Sequence, residues 1–171
     1  MNKKNKVSKL NRDHSHRKAL LNNLVISLFT HERIESSLAK LKAARSFAEK
    51  LITRAKENVS LPDDEKGKLR KIHNKRQVNR FIKDPVVLTK LFDDIAPRYK
   101  ERNGGYTRIY KLVNRISDNT EVGLLELVDR KSKDTLKSDI LARREKSAAY
   151  LGRSKKPAEK PKAEKATKSK K

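Results

Sequence analysis

The chain predicts an α+β fold, with four or so helices packed against a small β-sheet, a basic N-terminal arm and a disordered Lys/Ala/Pro-rich C-terminal tail. Three observations lead there. Apolar residues recur at three- and four-residue steps in several blocks between residues 15 and 95, the signature of helices with one buried face. From Tyr106 to Val128 the pattern shortens into two strand-like runs separated by turn-forming residues. From Gly152 onward the sequence GRSKKPAEKPKAEKATKSKK has no aromatic residue and too little apolar surface to offset its chain entropy. The expected organisation is an extended basic arm over 1–14, one α+β domain over 15–130, a further helix over 131–151 and a disordered tail over 152–171.

Each element has its own warrant. MNKKNKVSKLNRDH shows no periodicity and is read as the arm. Ser15 is the expected cap of a first helix, with Ala19, Leu20, Leu24, Val25 and Leu28 on its apolar face and His31-Glu32 at its close. Arg33 to Ser36 alternates like a short strand. Ser37 is then the expected cap of a second helix, whose stripe is Leu38, Leu41, Ala44, Ala48, Leu51, Ile52 and Ala55. Its opposite face carries Lys40, Lys42, Arg45, Lys50, Arg54 and Lys56, and Pro62 ends it. A third helix is expected from Asp63 to Phe81, with Leu69, Ile72, Val78, Phe81 and Ile82 as its apolar members. Asp84-Pro85 reads as cap and first-turn proline of a fourth helix, containing Val87, Leu88, Leu91, Phe92 and Ile95 and stopped by Pro97. Strands over Tyr106–Ile116 and Val122–Val128, joined by a turn at Ser117-Asp118-Asn119-Thr120, complete the body.

Charge narrows the function. The chain has 45 Lys and Arg against 21 Asp and Glu in 171 residues, a net of +24. Its first 18 residues carry +6 and residues 152–171 carry +7, which leaves +11 for the body. A folded domain with that excess repels itself unless an anionic partner neutralises it. Polyphosphate is the natural counter-surface, because each neutralised phosphate releases condensed counterions. No cysteine is present, which excludes disulfides, thiolate metal sites and a thiol nucleophile. No apolar run is long enough to span a bilayer, and Met1 to Lys18 lacks the apolar block of a secretory signal, so a cytoplasmic protein is expected. P-loop, G-x-S-x-G and H-E-x-x-H patterns are absent, and Asp63-Asp64 and Asp93-Asp94 read as solvated carboxylates beside cations. His14, His16, His31 and His73 lack the partners of a metal site. Neither enzymatic activity, cofactor, metal, membrane nor small-molecule substrate is expected.

Two constellations carry the nucleic-acid reading. The first is the arm and helix start: Lys3, Lys4, Lys6, Lys9, Asn11, Arg12, His14, Ser15, His16, Arg17 and Lys18. Arginine forks match phosphate, asparagine and histidine hydrogen-bond phosphate, ribose or base edges, and the positive end of a helix offers a phosphate seat. The second is Arg98, Tyr99, Arg102, Gly104, Gly105, Tyr106, Thr107 and Arg108. Its glycines let backbone approach a polyanion closely, while arginine and tyrosine supply charge and stacking faces for irregular RNA. A DNA-compacting protein is the competing reading; an RNA-modifying enzyme lacks the motifs for a cofactor pocket.

These residues also resemble a known family. Leu10-Asn11-Arg12, Ser15-His16-Arg17-Lys18-Ala19-Leu20, Asn23-Leu24, Ser27-Leu28, His31-Glu32-Arg33-Ile34 and Leu51-Ile52-Thr53 resemble the N-terminal half of the bacterial large-subunit ribosomal protein L-seventeen family. Arg98 to Ile109, with its Arg-x-Gly-Gly-Tyr-Thr-Arg-Ile core at 102–109, looks like that family's second signature, and Arg115, Asp118 and Glu126-Leu127-Val128-Asp129 follow. The resemblance covers about residues 8 to 130. It implies helices against a small sheet and a structural constituent of the large subunit, bound to large-subunit ribosomal RNA. It further implies a place near the exit side of the polypeptide tunnel, with other large-subunit proteins as neighbours. Leu10, Asn11, Arg12, Ser15, His16, Arg17, Arg102, Gly104, Gly105, Tyr106, Thr107 and Arg108 carry over by position. The opening Met1-Asn2-Lys3 departs from the family's usual Met-Arg-His, Val7 stands where glycine is common, and the segment after Asp129 has no family role.

Overall fold

A computed structural model describes residues 8–132, 134–136 and 138. Its elements run α1 (His14–His31), β1 (Arg33–Ser37), α2 (Leu38–Ser60), α3 (Glu65–Asn79), α4 (Pro85–Lys90), a π-helical turn (Leu91–Ile95), α5 (Ala96–Arg98), β2 (Thr107–Lys111) and β3 (Val122–Leu127). The sheet is antiparallel in the order β1-β3-β2, with Ile34 opposite Leu125 and Ile109 opposite the same residue from the other side. This is the α+β class expected. Residues beyond Ser132 form a second unit, of which 134–136 and 138 are described and helical. Lys131 and Ser132 are described and not helical, whereas residues 133, 137 and 139–151 of the expected helix, the tail over 152–171 and the arm residues Lys3, Lys4 and Lys6 lie outside the described residues.

α2 is the spine. All seven residues of its expected stripe are buried, because a 23-residue amphipathic helix fixes its own facing. Against it pack Val25, Leu28 and Phe29 of α1, Leu91, Phe92 and Ile95 of the π turn, and Leu125 and Leu127 of β3. α1 starts at His14 with Asp13 in the cap position, and that side chain makes no capping bond; the expected cap Ser15 sits exposed in the first turn. Its core contact lies at the C-terminal end, so Ala19 is exposed and Phe29 is the principal anchor. The described arm residues are also not extended throughout. Leu10 and Asn11 both take left-handed backbone (φ 54° and 50°), and Arg12 N–H closes a turn onto Lys9 O at 3.2 Å.

α3 departs further from expectation. Leu69 is 67 % exposed and Ile72 also faces solvent, while the buried members are Gly67, Asn74 and Val78. Polar and steric fit replace an apolar stripe. Asn74 Nδ2 donates to Asn58 Oδ1 of α2 at 2.8 Å, and Asn58 Nδ2 donates to Lys71 O at 3.1 Å. A Cβ on Gly67 would lie 2.1 Å from Pro62 O, so the helix approaches the preceding loop as closely as glycine permits.

Asp84 caps α4 as expected, accepting from Val86 N–H at 2.8 Å. Pro97, however, does not stop the helix, which continues to Arg98. A proline ring clashes with the carbonyl four residues back in regular α geometry. Widening the preceding turn to π, with Ala96 N–H reaching Leu91 O, relieves that conflict, and Arg98 Nε donates to Asp94 O at 3.2 Å. The expected long strand after Gly105 ends at Lys111, since β3 begins at Val122; Leu112 N–H still donates to Val122 O at 3.0 Å, and the ladder goes no further. The turn itself stays near Ile116–Asp118, with Thr120 N–H on Asp118 Oδ1. Val113 and Ile116 are left open to solvent.

Gly67→Ala is expected to destabilise the fold by roughly 1–3 kcal/mol, although alanine is the better helix former. Equilibrium unfolding in urea measures it; a stabilised variant would show that Pro62 yields freely.

Candidate nucleic-acid interface

The second sequence constellation is anchored from beneath by a buried charge cluster. Glu32 ends α1 in left-handed backbone (φ 58°) and has no solvent exposure. Arg98 grips its carboxylate with both terminal nitrogens, Nη2 to Oε1 at 2.6 Å and Nη1 to Oε2 at 3.1 Å. Lys90, itself buried, lies 3.4 Å from Oε1 and donates to Thr30 O at 2.9 Å. Lys131 N–H adds a bond to Oε2 at 2.8 Å. Burial works against the Glu32 carboxylate, but Arg98, the Lys131 N–H and Lys90 together hold its pKa below the usual glutamate range. Burial likewise penalises the Arg98 cation, and Glu32 reverses that, leaving its pKa raised.

Arg98 and Tyr99, expected from the sequence as RNA contacts, are therefore turned inward, Tyr99 fully buried and Arg98 mostly so. Arg98 spends its donors on Glu32, Asp94 O and Asp129 O. Tyr99 is fully buried, accepts from Asp129 N–H at 3.1 Å, and meets Tyr106 edge-to-face at 5.2 Å. Tyr106 is buried too, and Thr107 donates to Glu49 Oε1 of α2 at 2.9 Å. Tyrosine periodicity cannot distinguish a stacking face from a core ring with a satisfied hydroxyl. These four residues hold the loop that presents Arg102, Gly104, Gly105 and Arg108.

That loop is open. Gly105 adopts φ +61°, and nothing lies within 4 Å of a Cβ built on Gly104. Arg102 donates to Gly105 O at 3.3 Å, and Arg108 is exposed, donating to Tyr110 Oη at 2.9 Å. Lys56 Nζ of α2 donates to Arg102 O at 2.9 Å.

The first constellation collects around a cleft of about 540 Å³ lined by Lys9, Asn11, Arg12, Asp13 and His16. Arg12 Nη1 donates to Leu10 O at 2.9 Å and Arg17 Nη1 to Arg12 O at 3.4 Å, so the arginines also shape the turn. His14, Ser15, His16 and Lys18 are exposed along the first turn of α1. The helix start has no side-chain cap, which leaves its N–H groups facing this basic surround; Asp13 is the one acid lining the cleft.

Neither constellation alone reveals the element between them. His14, Arg17 and Lys18 share a second cleft with Phe47 of α2, while the outer face of α2 runs on through Lys50 and Thr53 to Lys56 beneath the glycine loop. The cations of α2 were legible as a polar helix face, but nothing in sequence spacing tied that face to both signatures. Among the described residues no three His, Cys, Asp or Glu side chains are grouped to hold a metal, and no helix is long and apolar enough to cross a membrane.

Arg98→Ala is expected to cost about 3–5 kcal/mol, because it strands a buried carboxylate. Since the folded pKa of Glu32 is lowered, its stabilisation is full above about pH 4.5 and disappears as pH falls through the folded value. The stability gap between the native chain and Glu32→Gln should shrink accordingly in acid. A gap independent of pH would contradict an ionised Glu32.

Residues 20–128 match the family described as Ribosomal protein L17. A large ribosomal subunit protein bL17 of Leptospira biflexa is 56% identical over 149 residues, 85% of this chain and 87% of that protein. The bL17 proteins of Borrelia hermsii and Clostridium acetobutylicum are 51% and 47% identical, over 72% and 70% of this chain and 90% and 95% of theirs. A match of this extent, embracing α2, the buried Glu32 cluster and the glycine loop, makes the chain a member of the ribosomal protein L17 family.

Proposed function

We propose that this protein is a structural constituent of the large ribosomal subunit that binds large-subunit ribosomal RNA by neutralising phosphates with its arm, the outer face of α2 and the glycine loop. The observation that carries the reading is the continuity of that basic face. Two signatures some 80 residues apart in sequence meet on one helix, through Phe47 at one end and Lys56 at the other. Lys18, Lys42, Lys50 and Arg54 have no carboxylate partner among the described residues, so their charge is available to an external anion. Helices and strands position the backbone charge contacts, and the open glycines admit a phosphodiester chain. The reading also includes neighbouring large-subunit proteins and a place near the exit side of the tunnel, and it assigns no catalytic step.

Sedimentation of a lysate tests it. Stoichiometric co-migration with large subunits, resistant to moderate salt and released by ribonuclease, is expected; a protein that stays at the top of the gradient or leaves with DNA would overturn the assignment. In equilibrium binding to large-subunit ribosomal RNA, Arg17→Ala and Arg54→Ala should each lower the salt slope by roughly 0.7–0.9 per lost phosphate contact. Gly104→Ala should leave the unfolding midpoint unchanged, because its methyl enters open space, yet weaken RNA binding. Unaltered affinity would remove the loop from the interface.

A further inference from the structure

Only three aromatic rings keep exposed surface among the described residues: Phe47, Phe81 and Tyr110; Phe29, Phe92, Tyr99 and Tyr106 are all buried. Tyr110 lies under the Arg108 guanidinium at 5.8 Å. Phe47 and Phe81 instead meet edge-to-face at 5.0 Å and an interplanar angle of 83°, forming a wall shared by two adjoining clefts. The larger, about 720 Å³, continues over Leu51 and is rimmed by Lys50, Arg54 and Lys56. The smaller, about 260 Å³, lies against α1 between Leu21, Asn22 and the cations Arg17 and Lys18.

The rim distinguishes this place from an ordinary incompletely covered core. It is cationic on both sides of the rings, with Arg17 and Lys18 beside the smaller cleft and Lys50 and Arg54 beside the larger, and its one acid, Glu57, is engaged by Arg70 at 3.0 Å. Aromatic wall and flanking cations are complementary to a single unstacked base carried between two phosphates. An apolar protein segment would use the rings but leave the cations unanswered.

We infer that the Phe47–Phe81 wall forms a subsite for one extruded nucleobase of the bound RNA, with Arg17 and Lys18 on one flanking phosphate and Lys50 and Arg54 on the other. The base stacks on the exposed ring surface. This rests on the RNA-binding reading above. It adds a base-dependent contact to a surface that otherwise reads only backbone charge.

The test compares binding of the full chain to a short oligoadenylate and to an abasic ribose-phosphate chain of equal length. The native protein should prefer oligoadenylate by about 5- to 100-fold. Phe47→Leu should abolish that preference while leaving the salt slope intact, and Phe47→Tyr, which keeps the ring, should retain it. Equal binding of the two chains by the native protein, or a preference that survives Phe47→Leu, overturns the subsite while leaving RNA binding standing. Failure to bind either chain would instead strike at the RNA-binding reading. Phe47-dependent binding of an oligoglutamate peptide, with no difference between the two nucleic-acid chains, would replace the base by an acidic protein segment. Photocrosslinking of an iodouracil-substituted oligonucleotide to the native chain needs no variant. Adducts at Phe47 or Phe81 are expected, and adducts confined to other residues would refute the assignment.

Discussion

The carboxylate of Glu32 is the point through which separate parts of this small structure are held in register. It closes α1, its backbone carbonyl receives Leu127 N–H at 3.0 Å, and its side chain draws in Lys90, Arg98 and Lys131 N–H. Three chain regions distant in sequence, around residues 32, 90–98 and 127–131, thus meet at this one residue. A charge so buried is tolerable only when every partner is in place, because removing one leaves the full desolvation cost of the others. The π turn follows from the same demand. Pro97 forces the helix out of regular geometry just before Arg98, and the altered turn brings the guanidinium to both Glu32 and Asp94.

This cluster also explains how a chain with so large a positive excess folds around a modest core. Its acids are placed where they organise cations within the scaffold: Glu49 accepts from Thr107 and Arg45, Glu126 lies near Arg33, and Asp129 near Arg102. The arm and the outer α2 face receive few of them. What results is a body that keeps a positive excess, with uncompensated cations along the outer face of α2 among them. The exposed pairs contribute little to stability individually, so their arrangement matters chiefly for where charge is left uncompensated.

The sequence foretold α2 in full because its period persists over six turns, and it foretold β1, the Asp84-Pro85 start and the α+β class for similarly local reasons. It failed where packing is decided at a distance. Leu69 and Ile72 have the spacing of a buried face, yet α3 is seated by Gly67, Asn58 and Asn74, whose roles depend on α2 and Pro62 being alongside. Arg98 and Tyr99 looked like RNA ligands because they adjoin a glycine loop; Glu32, 66 positions earlier, is what claims the arginine. A lone glutamate after a histidine gives no sign of burial. The basic constellations themselves were legible from composition, whereas their union along α2 required the fold.

Rigid and adaptable parts of the basic surface have different consequences for assembly. Lys50, Arg54 and Lys56 project from a helix whose opposite face is the core, and the glycine loop is pinned through Tyr99, Tyr106 and Thr107. Groups held in position this way present their charge to an external anion with little ordering entropy to lose. The same preorganisation keeps like charges close together in the free protein. An anionic partner that binds only the folded state removes that repulsion and stabilises the fold by mass action. Folding and any anion binding at this face would therefore be linked: the Glu32 cluster fixes the scaffold that carries the charge, and an anionic partner would complete the electrostatic balance that the chain's own acids leave open.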